Sequence, residues 1–221
     1  LGGLSAACHL AGAGHDVTVV EAAEVPGGRA GTLAAGGYRF DTGPTVLTMP
    51  HLVDRCFAAA GVDRRELLAL RPVDPMYRAC FADGSEIRVR HGRDAMVEEI
   101  RSVCGPGEAD RFVRFCDWSL LRLGGLRKLG GVVGRAFTDE RLRRLFSFQA
   151  MYAGLAPYEA LALYAVITYM DTVNGVFVPV GGMHSLPVAM AAAAERAGAT
   201  FRYGTGVERI VLRDGATGPV R

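Results

Sequence analysis

Residues 1–32 read LGGLSAACHLAGAGHDVTVVEAAEVPGGRAGT, and this stretch decides the fold class. The small and apolar residues at 4–10 predict a helix that packs closely on a sheet and ends near Gly12. The apolar run at 17–20 predicts a short buried strand, which places the carboxylate of Glu21 at the strand's end. A helix that leads into such a strand is the second half of a βαβ unit, so the stretch predicts an α/β fold.

The spacing of glycine and acid matches the later part of a dinucleotide-binding turn. In such a βαβ unit the final glycine of GxGxxG lets helix and strand approach, the helix N-terminus faces the pyrophosphate, and an acid about 20 residues later accepts the ribose hydroxyls. Gly3 and Glu21 fit the last two places. The first strand and the first two glycines of the motif are not in the sequence, so an αβ hairpin with glycine caps stays open for this segment alone.

A second glycine turn, PGGRAGT, follows at 26–32, and the segment YRFDTGPT follows at 38–45. A glycine pair allows a backbone to approach a phosphate, and the adjacent guanidinium of Arg29 adds charge-assisted hydrogen bonds. A solvated surface arginine is the alternative for Arg29, which the order of the three segments disfavours. We expect Asp41 to shape its loop by capping local backbone groups and assign it no proton transfer.

Together these motifs resemble the bacterial phytoene desaturases, FAD enzymes of the amine-oxidase-like flavoprotein superfamily. Looser matches at 152–157 (YAGLAP) and 179–183 (PVGGM) extend the resemblance over almost the whole chain. Many amine oxidases have an arginine where this chain has Val25, which favours the desaturase branch. The cofactor-binding residues implied by the resemblance are Gly2, Gly3, Glu21, Gly27, Gly28, Arg29, Thr45 and Val207, the last through backbone contacts to the adenine.

The resemblance implies dehydrogenation of an acyclic carotene, with hydride moving to the flavin. No catalytic acid or base is identified. His184 follows a glycine pair, but a single histidine at a helix start is more often an exposed or capping residue than a general base. A flavin amine oxidase and a carotene isomerase stay open as alternatives. So does a hydrophobic-ligand carrier, because prenyl-binding escort proteins without a redox role share the architecture.

Composition narrows the classes of partner. The 25 basic and 23 acidic residues nearly cancel, so no nucleic-acid partner is expected. The five cysteines form no CxxC pair and the five histidines have no metal spacing, so we expect reduced thiols and no metal site. The apolar run at 160–170 is shorter than the roughly 20 residues of a membrane-spanning helix and predicts a buried helix.

The middle of the chain predicts helices and a hairpin that cover the substrate. Helices are expected at 51–60, 93–105 and 108–123. The first of them has Leu52, Val53, Cys56 and Phe57 on one face. A hairpin is expected at 76–90 around Asp83 and Gly84. The segment 123–135, LGGLRKLGGVVGR, could rest on a lipid surface, whereas its glycines favour a loop and short helix with a solvated basic face. Since carotenes dissolve in bilayers, the resemblance favours a cytoplasmic protein with peripheral contact to the inner face of the membrane.

The last segment predicts a return to the nucleotide domain. Ser185 as N-cap and Pro187 start a helix that Gly198 ends, and strands follow at 200–203 and 207–213, so that Val207 reads as a core strand residue. We therefore expect an α/β flavoprotein with a discontinuous, glutathione-reductase-like FAD-binding domain and a second, α+β substrate-covering domain. The expected boundaries are 1–64 and 176–221 for the first domain and 65–175 for the second. The resembled family is about twice as long, so the chain is expected to be an N-terminal fragment that is inactive alone.

Overall fold

The computed structural model describes residues 1–117 and 127–210 in full, and the backbone alone of residues 118–121, 212–213 and 216–217. The chain divides into two compact units. Unit 1 consists of Leu1–Arg71 and Val178–Arg221, and unit 2 consists of Pro72–Phe177. The observed boundaries thus lie after 71 and 177, against the expected positions after 64 and 175.

The first segment of unit 1 alternates helices and short strands. In chain order its elements are α1 (Gly2–Gly12), β1 (Thr18–Val20), β2 (Thr32–Ala35), β3 (Tyr38–Asp41), β4 (Leu47–Thr48), α2 (Pro50–Ala59), α3 (Arg64–Leu67) and β5 (Leu70–Pro72). The predicted first helix and strand are confirmed. Helix α1 buries Leu4, Ala7, Cys8 and Ala11, a spacing that keeps one face inward.

Unit 2 starts with the predicted hairpin and continues as helices. Its elements are β6 (Tyr77–Cys80), β7 (Glu86–Val89), α4 (Arg93–Cys104), α5 (Pro106–Leu121), α6 (Leu129–Ala136), α7 (Glu140–Ser147), a 3-10 helix (Phe148–Ala153), a second 3-10 helix (Ala162–Tyr164), α8 (Ala165–Thr168) and a π-helix (Tyr169–Val173). Strands β6 and β7 pair antiparallel, and Gly84 between them has a φ of +82°, so the predicted hairpin is confirmed.

The last segment runs from β8 (Val176–Pro179) through α9 (Ser185–Arg196), β9 (Thr200–Arg202), β10 (Leu212–Arg213) and β11 (Ala216–Thr217). Strand β9 pairs in parallel with β1, with Phe201 opposite Val19. Strand β8 lies between β4 and β5 in a three-stranded sheet, and β2 pairs with β3. Gly198, at a φ of +102°, follows the end of α9 as predicted.

The core of unit 1 is formed mainly by small side chains on α1 and α9. Cys8, Ala193 and Ala194 have no exposed surface, and Phe57 of α2 fills the remaining space. A Cβ at Gly12 would collide with the backbone carbonyl of Ala59. Small residues therefore set the close packing of these helices, whereas the sequence predicted that α1 packs on a sheet.

The core of unit 2 centres on four phenylalanines. Phe112 stacks on Phe146 with ring centroids 5.3 Å apart, and Phe137 stacks on Phe146 at 5.1 Å. Phe115 contacts Phe137 edge-on at 5.2 Å. Phe112, Phe115 and Cys116 of α5 are all buried, which gives this predicted helix one inward face.

A small polar cluster lies buried within unit 2, on and beside the π-helix. The Thr168 hydroxyl donates to the Gln149 side-chain oxygen at 2.7 Å, and the Gln149 amide lies 3.5 Å from Asp171 Oδ2. The Thr172 hydroxyl donates to the Thr168 carbonyl at 2.5 Å. Burial raises the pKa of Asp171 to about 6 from its ordinary value of 3.8.

The prediction of one buried helix at 160–170 is wrong. The chain there passes from 3-10 through α to π geometry, so its hydrogen-bond spacing changes twice. One side, which carries Ala162, Ala165 and Thr168, is buried, and the other is not. Leu163 is 53% exposed and Val166 is also exposed. No helix among the described residues combines the length and the apolar character needed to cross a membrane.

Three further predictions are corrected. Leu52 is exposed, although it was predicted to lie on the inward face of α2. That face is formed by the buried Phe57 and the half-buried Val53 and Cys56. Ser185 is the first residue of α9 and does not cap it; the N-cap position belongs to His184. Val207 is exposed and lies outside any strand.

The local backbone explains the position of Val207. Gly204, at a φ of +61°, turns the chain after β9, and the Thr205 N–H binds the Glu21 carbonyl. The predicted strand at 207–213 is thus reduced to the short β10, which pairs antiparallel with β11. The first part of the lipid-facing segment, 123–126, lies outside the described residues.

Candidate cofactor-binding site

A cleft of about 490 Å³ opens in unit 1 where helix α1 begins and strand β1 ends. Five of the eight residues predicted to bind a cofactor line it: Gly3, Glu21, Gly27, Gly28 and Arg29. Gly2 is the first residue of α1. Thr45 and Val207 are exposed and do not belong to the cleft lining, although Pro44 next to Thr45 does.

The N-terminus of α1 is open towards this cleft. The first backbone N–H groups of a helix have no partner within the helix and carry a partial positive charge. A Cβ built on Gly2 or Gly3 would meet nothing within 4 Å, and no acidic residue lies in the first turn. The helix end can therefore receive an anionic group such as a phosphate.

Glu21 is held at the end of β1 by backbone contacts on both sides. Its N–H donates to the Arg202 carbonyl at 2.9 Å, and its carbonyl accepts from the Thr205 N–H at 3.0 Å. The side-chain Oε1 accepts from the Ala23 N–H at 2.9 Å. Oε2 has no hydrogen-bond partner within the described part of the chain, so it is free to accept from a ligand hydroxyl.

Two aromatic residues form a further part of the cleft lining. Phe201 and Tyr203 stack with ring centroids 5.7 Å apart and an angle of 19° between the rings. Burial raises the pKa of the Tyr203 hydroxyl, and the carboxylates of Glu195 and Glu21 raise it further. The hydroxyl therefore stays protonated and can act as a hydrogen-bond donor.

The two glycines of the second turn have different roles. Gly27 has a φ of +127°, and a Cβ there would lie 2.8 Å from the Ala30 carbonyl oxygen and 2.9 Å from Pro187 Cγ. Gly28 has a φ of +56° and nothing within 4 Å of its would-be Cβ. Gly27 is thus required by packing within the protein, whereas Gly28 leaves open space at the cleft.

Side chains from distant positions hold this turn in place. Asp41 Oδ1 accepts from the Met183 N–H at 3.1 Å, so Asp41 is bonded to the turn before α9 and not to its own local backbone as expected. The half-buried His184 places Nε2 2.9 Å from the Pro26 carbonyl oxygen, which makes Nε2 the donor. His184 occupies the N-cap position of α9, but its side chain makes no capping hydrogen bond and is not exposed; its ring instead anchors the glycine turn.

Sequence reasoning missed the aromatic pair and His184. The strand containing Phe201 was predicted, but its parallel pairing with β1 was not, and this pairing is what brings Phe201 beside the cleft. A usable signal was present, since a strand that follows the return helix of such a unit commonly adds to the same parallel sheet. The His184 contact spans 158 residues and left no local signal.

A model of the family described as flavin containing amine oxidoreductase matches residues 1–220. The chain belongs to this family. FAD is the cofactor that membership indicates, and the mixed α/β fold is that of the FAD-dependent amine oxidases.

The similar curated proteins are enzymes that act on carotenoids. The chain is 49% identical to the phytoene dehydrogenase of Streptomyces griseus, over 95% of this chain and 47% of the relative. It is 32% identical to the zeta-carotene-forming phytoene desaturase of Myxococcus xanthus, over 100% of this chain and 48% of the relative. The chain thus spans about half the length of the curated relatives it matches.

Solved structures share the fold at low sequence identity. An oxidoreductase from Methanosarcina mazei matches all of this chain and 53% of its own, with a TM-score of 0.73 and 18% identity. A redesigned putrescine oxidase matches 97% of this chain and 51% of its own, with a TM-score of 0.60 and 17% identity. The Rab GDI of Plasmodium falciparum matches 99% of this chain and 59% of its own, with a TM-score of 0.62 and 11% identity.

Proposed function

We propose that the protein carrying this chain is an FAD-dependent desaturase of acyclic carotenes, with phytoene as the representative substrate. The observation that carries the proposal is the 49% identity to a phytoene dehydrogenase over 95% of the chain. The cleft of unit 1 supports it, because a helix N-terminus, an acid-ended strand and a glycine turn open into one space.

The residues of the cleft fit the adenosine diphosphate half of FAD. The α1 N-terminus with Gly2 and Gly3 receives the pyrophosphate, and Glu21 accepts the ribose hydroxyls through its unpaired Oε2. Gly28 allows close approach of the ligand to the backbone, and Arg29 adds a cation. The stacked Phe201 and Tyr203 offer an apolar wall for the flat adenine.

Thr45 and Val207 complete the proposed set, Val207 through its backbone. The parallel pairing of β1 with β9 and the packing of α1 and α9 support a glutathione-reductase-like topology for unit 1. Unit 2, with its separate phenylalanine-rich core, takes the role of the substrate-covering domain.

FAD, when bound, supplies the acceptor for a hydride taken from a C–H bond beside the conjugated system. The chain's own part is to bind and orient this cofactor. Asp41 and His184 hold the turns that line the cleft, so the cofactor meets a preformed surface. A hydrocarbon substrate offers no polar group to recognise, so shape and exclusion of water are expected to dominate binding.

The substrate also determines where the protein works. A long acyclic carotene is dissolved in the bilayer, so the enzyme has to reach a membrane surface. We therefore propose a cytoplasmic protein in peripheral contact with the inner face of the membrane.

The test uses the purified full-length protein and phytoene in liposomes. A desaturase is yellow from bound flavin and converts phytoene to products that absorb at longer wavelength. Retained flavin with oxidation of an amine and no carotene product would make the protein an amine oxidase, and a product of unchanged oxidation level would make it an isomerase. A protein that binds the hydrocarbon but no flavin would be a carrier.

A further inference from the structure

A cluster of cations in unit 2 has no part in the proposed reaction. Arg111 and Arg114 lie on α5, Arg127 precedes α6 and Arg135 lies in its last turn, and all four line one cavity of about 370 Å³. The other described lining residues are Phe115, Val132 and Ala136. We call this cavity the four-arginine pocket.

Four arginines line the pocket, and acidic residues flank the stretch 111–135 on both sides, at Glu108 and Asp110 and at Asp139 and Glu140. The whole chain has a formal net charge of only +2. Between residues 111 and 135 the only acidic residue in the sequence is Asp117, against six basic residues: Arg111, Arg114, Arg122, Arg127, Lys128 and Arg135. Asp117 is already paired with Arg93 at 2.7 Å, and the pocket's own contact with an acid is Arg111 to Glu108 at 3.5 Å.

The chemistry of the pocket suits a phosphate that carries an apolar group. Guanidinium groups bind phosphate oxygens in pairs and are preferred over ammonium groups at such sites. The lining also contains the apolar side chains of Phe115, Val132 and Ala136, of which Phe115 and Val132 are almost fully buried. A ligand with a phosphate at one end and hydrocarbon at the other would match both parts.

We propose that the four-arginine pocket binds the phosphate of an anionic phospholipid headgroup, with the glycerol and first acyl carbons against Phe115 and Val132. The choice of a lipid over a soluble phosphate rests on the proposed function, because a carotene substrate brings the protein to a bilayer. The pocket is then a membrane-recognition site that selects anionic surfaces.

The test measures sedimentation of the FAD-loaded full-length protein with vesicles of phosphatidylcholine alone or mixed with phosphatidylglycerol. The wild type is expected to prefer the mixed vesicles. The variant R114Q/R135Q should bind them about 30-fold more weakly, since each cation near an anionic surface contributes about fivefold. Both side chains are exposed. If the double variant fails to fold, R114Q and R135Q singly should each lose about fivefold.

The matched control is R78Q/R88Q, which removes the same charge from exposed positions on β6 and β7 of unit 2. It is expected to bind mixed vesicles like the wild type. Equal loss in both double variants would reduce the effect to net charge and overturn the proposal, as would a wild type that does not distinguish the two kinds of vesicle. Binding of inorganic phosphate alone, without any vesicle preference, would assign the pocket to a soluble anion and also overturn it.

The proposed function and the four-arginine pocket are tested by different measurements. Conversion of detergent-dispersed phytoene by the wild type does not need a lipid headgroup. Absence of that conversion would refute carotene desaturation, whereas vesicle binding would still decide whether the four-arginine pocket recognises lipid.

Discussion

Glu21 is the residue on which the proposed cofactor site most depends. Hydrogen bonds from ribose hydroxyls to a charged carboxylate contribute about 1.5–3 kcal/mol each, so Glu21→Ala is expected to weaken FAD binding at least tenfold. Glu21→Gln keeps an acceptor for the Ala23 N–H and isolates the charge. Affinity is measured by flavin fluorescence during titration of the apoprotein.

Glu24→Gln is the matched control for Glu21. Glu24 is exposed, lies three residues away and does not line the cleft, so its loss should leave FAD affinity unchanged. Equal affinities for wild type and both Glu21 variants would remove Glu21 from the site.

Gly28 tests whether a ligand approaches the backbone at the second turn. Gly28→Val places a branched side chain in open space at the cleft, at a φ of +56°. The hairpin residue Gly36 has a φ of +57° and equally open surroundings, so Gly36→Val carries the same backbone cost away from the cleft. We expect both variants to lose similar thermal stability and Gly28→Val alone to lose bound flavin. Full flavin occupancy in Gly28→Val would make the turn merely structural.

At the residue scale, local spacing was enough to predict which residues line one cleft. Gly3 and Glu21 follow from the spacing of one motif and Gly28 from a second glycine turn, and all three line the cleft. His184 and Tyr203 could not be recognised in the same way. Their positions depend on the His184–Pro26 contact and on the parallel pairing of β9 with β1, which join segments far apart in the chain.

At the scale of elements, a hydrogen bond to the Asp41 side chain connects the turn before α9 to the end of β3. Asp41→Ala removes the acceptor for the Met183 N–H and is expected to cost about 1 kcal/mol of unfolding free energy. It should also lower FAD affinity, because the loss of this hydrogen bond loosens the segments beside the cleft. Asp41→Asn keeps an oxygen in place and should retain both properties. Identical urea midpoints and flavin contents for the wild type and the alanine variant would show that the contact does not support the site.

The π-helix of unit 2 is expected to make stability depend on pH. The pKa of Asp171 is about 6 in the folded protein, against an ordinary 3.8, so the folded state binds its proton more tightly than the unfolded state. The resulting stabilisation is fully present below about pH 4 and is lost as pH rises through about 6, by about 3 kcal/mol.

Asp171→Asn is expected to abolish this part of the pH dependence. The asparagine is neutral at every pH and keeps an oxygen beside Gln149. Asp139, whose pKa is lowered to about 2 by Arg141, titrates below this window. Urea unfolding of the wild type and the variant between pH 4 and pH 7 measures the difference. Parallel pH profiles would contradict a buried, titrating Asp171.

Secondary-structure elements were predictable where a single hydrophobic periodicity applied. The predictions failed where the helix geometry changed along the segment. The hairpin at β6 and β7 and the inward face of α5 follow from turn chemistry and helical spacing. The run at 160–170 is as apolar as a buried helix, yet the chain there buries the polar Thr168 and Asp171 and changes from 3-10 to α to π geometry. Burial of those groups is a tertiary effect that apolar periodicity does not encode.

At the scale of the molecule, the two proposed binding sites lie in different compact units. Unit 1 holds the cleft proposed for FAD, and unit 2 holds the aromatic core and the four-arginine pocket. The fold class was predictable because the glycine and acid motifs of unit 1 are local in sequence. The return of the chain to unit 1, observed at Val178, was predicted at residue 176 from the helix and strand pattern of the last segment.

The most direct test of the central claim is a single-turnover experiment on the full-length protein. The FAD-loaded protein is mixed with phytoene in liposomes without oxygen or any other electron acceptor, and the carotenes are separated and counted. Each new double bond removes two electrons, so the account predicts one new double bond per bound FAD and none from protein stripped of FAD. Phytoene recovered at its original oxidation level by protein with full FAD occupancy would contradict desaturation.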